Sequence, residues 1–174
     1  YSPDWEPVYF YSPKPNGAAS PPPPGGAALI LADAYVRGGS YASTSFGASS
    51  ELVVKKSADG GYAREAYLKL DISRGEADET VRVRVSGYLS DTRAPSVRTQ
   101  IFSVANASWL ETSLNWNNRP VTGTTVLGTV VVMGTSAQWY EVDITAHVQA
   151  QRASGATQIA IALKNPDDTL PYSA

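Results

Sequence analysis

The side chains in this chain that could do chemistry are cations and aromatic rings rather than nucleophiles. There is no Cys and a single His, His147, which removes thiol catalysis, disulfide frameworks and Cys- or poly-His-based metal sites together. No GxSxG elbow, HExxH helix or phosphate-cradling glycine loop is present. His147 reads as a structural or exposed residue. Glycosidase chemistry needs only two carboxylates, yet nothing in the spacing of the 16 acids singles out a pair, so the chain reads as non-enzymatic. The cations are unevenly spread. Ten of the 14 Lys and Arg lie between Arg37 and Arg98 against eight acids, a local balance of +2, while the remainder carries −4. In that basic middle, Arg37, Lys55 and Lys69 take outward parity on successive predicted strands, and Arg64 stands at the entry of the strand holding Lys69. On neighbouring strands these four form a cationic shelf. Such a shelf suits uronate or sulfate groups, because Arg forks a carboxylate bidentately and Lys supplies a mobile point charge.

Aromatic faces are the other device for holding sugars, since a pyranose C–H face stacks on an indole or phenol. Tyr41 and Tyr62 fall in predicted loops and are the contact candidates, whereas Trp109, Trp116 and Trp139 are expected to pack and order loops. Asp33, Asp143, Asp167 and Asp168 offer oxygen ligands for a structural calcium, but no EF-hand spacing exists. No cofactor is expected. Asn106-Ala107-Ser108 is a glycosylation sequon, meaningful only in a host that modifies Asn.

The elements that must position these residues are short strands. Val81, Val83 and Val85 alternate with Arg82, Arg84 and Ser86, the period-2 signature of a half-buried strand. Further strands are expected at 29–37, 52–56, 66–72, 99–104, 126–133, 138–145 and 158–164, separated by turns rich in Gly, Asn and Pro. On the first, Ile30, Ala32, Ala34 and Val36 are expected on one side and Leu31, Asp33, Tyr35 and Arg37 on the other. A short helix is expected over 146–152, with Thr145 as its N-cap. The pattern is all-β: an antiparallel β-sandwich, jelly-roll-like, with one short helix and an extended N-terminal arm. At 174 residues and 43% hydrophobic, the chain can bury a core without staples. A net charge of −2 argues against general nucleic-acid binding, and no apolar run approaches the ~20 residues of a spanning helix. The Tyr1 start, without Met or a signal-peptide pattern, reads as processed or trimmed.

Residues 1–28 differ in kind. Trp5, Val8, Tyr9, Phe10 and Tyr11 make an aromatic, strand-like arm, followed by a Pro/Gly-rich linker with the run Pro21–Pro24 and Gly25-Gly26. A Pro-rich linker is extended and semi-rigid, so this one reaches roughly 50 Å at about 3.1 Å per residue. The domain division is therefore an arm and linker over 1–28 and a sandwich module over 29–174.

The order of four segments carries a family resemblance. ADAYVRGGSYASTSFGASSELVVK, REAYLKLDIS, ASWLETSLNWNNRP and QWYEVDITAHVQ, in that sequence, resemble the DNRLRE-type, disaggregatase-related β-sandwich domains over roughly 32–164. Some of these are similar to alginate-binding carbohydrate-binding modules appended to polysaccharide lyases. The resemblance implies a generally non-catalytic sandwich in a secreted or cell-surface protein, and relatives that use basic grooves for acidic polysaccharides. Such domains usually close with a Ser-Arg-Glu turn and a last apolar strand; this chain stops at Pro171–Ala174, where that turn would begin. The expected function is thus an extracellular carbohydrate-binding module for an anionic, alginate-like polysaccharide. The ligand would be held by Arg37, Lys55, Arg64, Lys69, Tyr41 and Tyr62. The linker's reach lets the arm Trp5–Tyr11 fold back onto its own domain or enter a neighbouring copy by donor-strand complementation, and the second placement gives the alternative function, a structural or adhesive filament subunit.

Overall fold

The computed structural model describes residues 8–11, 29–57, 60–75, 79–90, 92 and 94–166. Within them, alternating apolar residues build nine strands. They are β1 (Val8–Tyr11), β2 (Leu29–Arg37), β3 (Glu51–Val54), β4 (Arg64–Asp71), β5 (Arg82–Leu89), β6 (Ser96–Val104), β7 (Thr122–Met133), β8 (Gln138–Asp143) and β9 (Gln158–Lys164), with one helix, α1 (Thr145–Ala153). The strands pair antiparallel in two sheets, a four-stranded one in the order β3-β1-β5-β8 and a five-stranded one in the order β2-β4-β9-β6-β7. The protein is an all-β sandwich, as its alternation predicts. On β5, for instance, Val83 and Val85 are buried while Arg82 and Arg84 are exposed.

The main core lies between the sheets. Phe10, Leu52, Val54, Val83 and Val85 enter it from the four-stranded side, and Leu68, Leu70, Ile101, Ile159, Ile161 and Leu163 from the five-stranded side. Each fully buried side chain of this size contributes about 1.5–3 kcal/mol of transfer free energy. Phe10 belongs to this set because β1 lies inside the four-stranded sheet, with Phe10 opposite Leu52 on β3 and Gly87 on β5. Trp5 and the linker fall outside the described residues.

A second buried cluster sits on the opposite side of the five-stranded sheet, where Ala34, Val36, Tyr67 and Ala162 meet Trp109 and Leu114. The segment over 105–121 forms a roof there. Lys69 Nζ donates to the Trp109 carbonyl at 2.5 Å, and Glu111 accepts the Asp33 backbone N–H at 3.1 Å. Arg119 pairs with Glu65 at 3.2 Å and stacks on Trp116, 3.7 Å from its centroid. β2 is therefore covered on both sides, and a register shift between Ile30 and Ala32 changes its parity. Ala32, Ala34 and Val36 turn to the roofed side, while Ile30 and Tyr35 pack on the main core. Arg37, at the parity of Tyr35, thus does not share the roofed side with Lys69, contrary to the expected strand pattern.

The helix entry also differs. Ile144, not Thr145, is the N-cap and makes no side-chain cap bond. Thr145 Oγ1 instead accepts the Val81 N–H at 2.8 Å, tying α1 to β5's entry, and Asp143 Oδ1 accepts the Thr145 N–H at 2.9 Å.

Candidate binding site

Three of the four singled-out cations meet at one end of the sandwich. Arg37, the last residue of β2, is the cross-strand partner of Arg64, the first of β4. Arg64 in turn bridges Lys55, which follows β3, through reciprocal backbone bonds of 3.0 and 2.9 Å. Cross-strand partners have Cα atoms about 4.5–5.5 Å apart, so Arg64 is flanked by a cation on each side. This ladder continues from the five-stranded sheet onto the end of a strand of the other sheet, which is why neither sheet's alternation alone reveals it.

Two short 3-10 turns bring phenol rings to the cations. Gly39–Tyr41 follows β2 and Gly60–Tyr62 precedes β4. Gly39 has φ +66, and a Cβ there would lie 2.5 Å from the Gly61 Cα, so only glycine permits this conformation and approach. Tyr41 and Tyr62 are each 42% exposed. The Arg37 guanidinium carbon lies 3.8 Å from the Tyr41 centroid and Lys55 Nζ 5.7 Å from the Tyr62 centroid. Arg64 Nη1 donates to the Tyr62 carbonyl at 3.2 Å, and the Gly38 N–H to the Ala63 carbonyl at 3.1 Å. Phe46 supports the group from below, stacked on Tyr35 at 4.5 Å and tilted against Tyr41 at 6.4 Å. The result is a basic, half-exposed surface with stacking rings at its border.

Lys69 is not part of it. It stands five residues further along β4, about 16 Å at 3.3 Å per residue, and on the other side of the sheet, at the parity of Tyr67 rather than of Arg64. Its ammonium lies 4.8 Å from the Trp109 centroid and holds the roof through the Trp109 carbonyl. It also lines an open groove of about 540 Å³ with Leu31, Trp109, Leu110, Glu111 and Gln158. The expected shelf of four cations is thus a trio plus one roof anchor. The roof also explains Tyr67: burial, with Glu65 beside it, pushes its phenol above the ordinary range, and its hydroxyl donates to Glu65 at 2.8 Å.

Of the tryptophans, Trp109 and Trp116 pack in the roof as expected, but Trp139 is 53% exposed on β8, with the Arg84 guanidinium carbon 4.6 Å from its centroid. Strand parity could have shown this, because Trp139 shares a side with Glu141 and Asp143. Among the described residues no three His, Asp or Glu side chains converge as a metal site. Asp33 is buried in the five-stranded sheet, and Asp143 lies on the four-stranded one at the helix entry. Asp167 and Asp168 lie outside the described residues. No helix among those described is long and apolar enough to cross a membrane.

A family model for carbohydrate-binding module family 96 matches residues 29–173. The chain belongs to that family. The family 96 match includes the cationic trio, both tyrosines and the whole roof, and it begins at β2, so that β1 lies outside it. A gellan lyase from Bacillus sp is 31% identical over 105 residues, which are 59% of this chain. The chain covers 4% of that lyase's length. The family's description names carbohydrate binding and not a reaction.

Proposed function

We propose that this family 96 module is a non-catalytic, extracellular binder of an anionic polysaccharide of the alginate type. Arg37, Lys55 and Arg64 meet its carboxylates, and Tyr41 and Tyr62 stack at their flank. One observation carries the reading: Arg64 stands between two other cations on adjacent backbone, within a half-exposed border of tyrosines. A row of carboxylates meeting these cations gains charge-assisted bonds of about 1.5–3 kcal/mol each. The 540 Å³ groove is less suited to a polyanion, because Glu111 lines it and its one cation already bonds the Trp109 carbonyl. The partial match to a gellan lyase supports a polysaccharide setting, and with it an extracellular one.

Calorimetric titration with alginate, against a neutral dextran control, tests this. Binding is expected to alginate alone, weakening as salt screens the exposed contacts. The pair Arg37→Gln and Arg64→Gln is expected to lower affinity at least tenfold, about 1.4 kcal/mol, while leaving the fold intact. No heat and no retardation on alginate at low ionic strength would refute the ligand class.

A further inference from the structure

The polyanion reading leaves the groove of about 540 Å³ at the edge of the roof without a role. A bulge shapes one of its walls. In the ladder between β2 and β4, Ile30 pairs with Leu70 and Ala32 with Lys69, so Leu31 is an extra residue with no cross-strand partner. Such a residue bends its strand and re-aims side chains. Neighbours in a regular strand point to opposite faces, yet here Leu31 and Ala32 both line the groove. Leu31 is 44% exposed, and Leu110, which lines the groove from the roof, is 65% exposed.

The polar lining is balanced. It holds one cation, Lys69, and one anion, Glu111, together with the neutral amide of Gln158. The fold itself orients both charged groups, Lys69 Nζ through the Trp109 carbonyl at 2.5 Å and Glu111 Oε2 through the Asp33 N–H at 3.1 Å. An ammonium has three donors and a carboxylate about four acceptor sites, more than these two bonds use. The groove wall also carries a donor that folding leaves over. Trp109 Nε1–H is buried with no acceptor among the described residues, whereas buried donors in native proteins almost always have a partner.

A group that gives a proton to a carboxylate and takes one from an ammonium is a hydroxyl. A neutral pyranose carries several, around C–H faces that suit leucine side chains, while an anionic ring would be repelled by Glu111. The groove's volume falls within the roughly 300–1,000 Å³ of ligand pockets, and every residue lining it lies inside the match to a carbohydrate-binding family. We infer that this groove is a second binding site, for a neutral pyranose unit of a glycan. Glu111, Lys69 and Gln158 hold its hydroxyls, and Leu31 and Leu110 meet its C–H face. The site is separate from the cationic trio, about 16 Å away along β4 and on the other side of the sheet. It stands whether or not the trio binds alginate.

A few contacts in an open groove give a dissociation constant on the order of 1 mM, too weak for heat in a dilute titration with dextran. Nuclear magnetic resonance reads that range. Cellotetraose and, separately, maltotetraose are added to about 10 mM, enough to saturate a millimolar site, while amide and indole N–H resonances of the full nitrogen-15-labelled chain are followed. Saturable shifts are expected with at least one sugar at the Trp109 indole N–H and the Gln158 side-chain amide, and not at the Arg37 and Arg64 amides. Gln158 is exposed, so Gln158→Ala should fold and weaken binding at least threefold. Leu31→Trp fills the opening and should weaken it at least tenfold, and in both variants alginate affinity is kept. The pair Arg37→Gln and Arg64→Gln should leave the groove shifts intact. No groove shifts with either sugar, or shifts that survive both Gln158→Ala and Leu31→Trp, would overturn the inference.

Discussion

Replacing Phe10 by Ala is the most direct probe of whether the amino-terminal strand belongs to the fold. Phe10 has no exposed surface and reaches the main core alongside Leu52, Val54 and Leu89. Truncating a buried phenylalanine costs about 3–5 kcal/mol, the sum of lost transfer free energy and the cavity left behind. In a chain of this size 1 kcal/mol moves the melting temperature by about 2–4 °C, so a fall of roughly 6–20 °C is expected. The lower end applies if the variant escapes by releasing its strand, since the cost cannot exceed the free energy that docks β1. Release has its own signature. Backbone amides of 51–54 and 87–89 would lose protection in hydrogen exchange, while those of β4 and β9 keep theirs. Urea and thermal melts of wild type and variant, with exchange measured by mass spectrometry, separate the two routes. A shift below about 2 °C with unchanged exchange at 51–54 would refute the placement of Phe10 in the core.

Other outcomes follow from the same geometry. Gly39→Ala forces a side chain into positive φ against the Gly61 Cα; a cost of about 1–3 kcal/mol is expected, together with weaker alginate binding as the two tyrosine-bearing turns part. Lys69→Met removes a charged bond to the Trp109 carbonyl and should lose about 1.5–3 kcal/mol in urea melts, with faster proteolysis within 105–121 and alginate affinity retained. His147 has its pKa lowered from the ordinary 6.5 by burial. The unfolded chain therefore binds the proton more readily, and stability falls as pH drops below 6.5 toward the folded value. His147→Gln should flatten that part of a stability–pH curve. Asp143, held below the usual 3.8 by its bonds from Thr145, adds a loss at lower pH as its carboxylate is protonated, which Asp143→Asn should remove.

The strands whose two sides differ in solvent exposure were legible in the sequence. β5 is the clearest, with valines inward and arginines outward. β2 was legible as a strand but not in its facing, because the roof buries its second side and the shift at Leu31 reverses parity part-way along. β7 extends to Thr122, earlier than its valines suggest, since Thr124 and Thr125 are exposed and give no apolar alternation. The proximity of the candidate residues was legible in part: Arg37, Lys55, Arg64, Tyr41 and Tyr62 do come together. What failed was grouping Lys69 with them, because one strand presents Arg64 and Lys69 to opposite sides. The bridge between Lys55 and Arg64 joins elements of different sheets, a contact that periodicity within one strand cannot encode.

The roof over 105–121 has a consequence for how bodies of this kind can be arrayed. With Trp109, Leu114 and Trp116 covering the outer side of β2, β4 and β9, bare apolar pleat on that flank is confined, among the described residues, to β7, where Val131 and Met133 are exposed. A neighbouring domain's sheet therefore finds apolar footing at that β7 edge or on the four-stranded flank, where Trp139 is exposed beside Arg84, and not over the roof. A polymer lying along the basic end would then run beside such contacts rather than be buried beneath them.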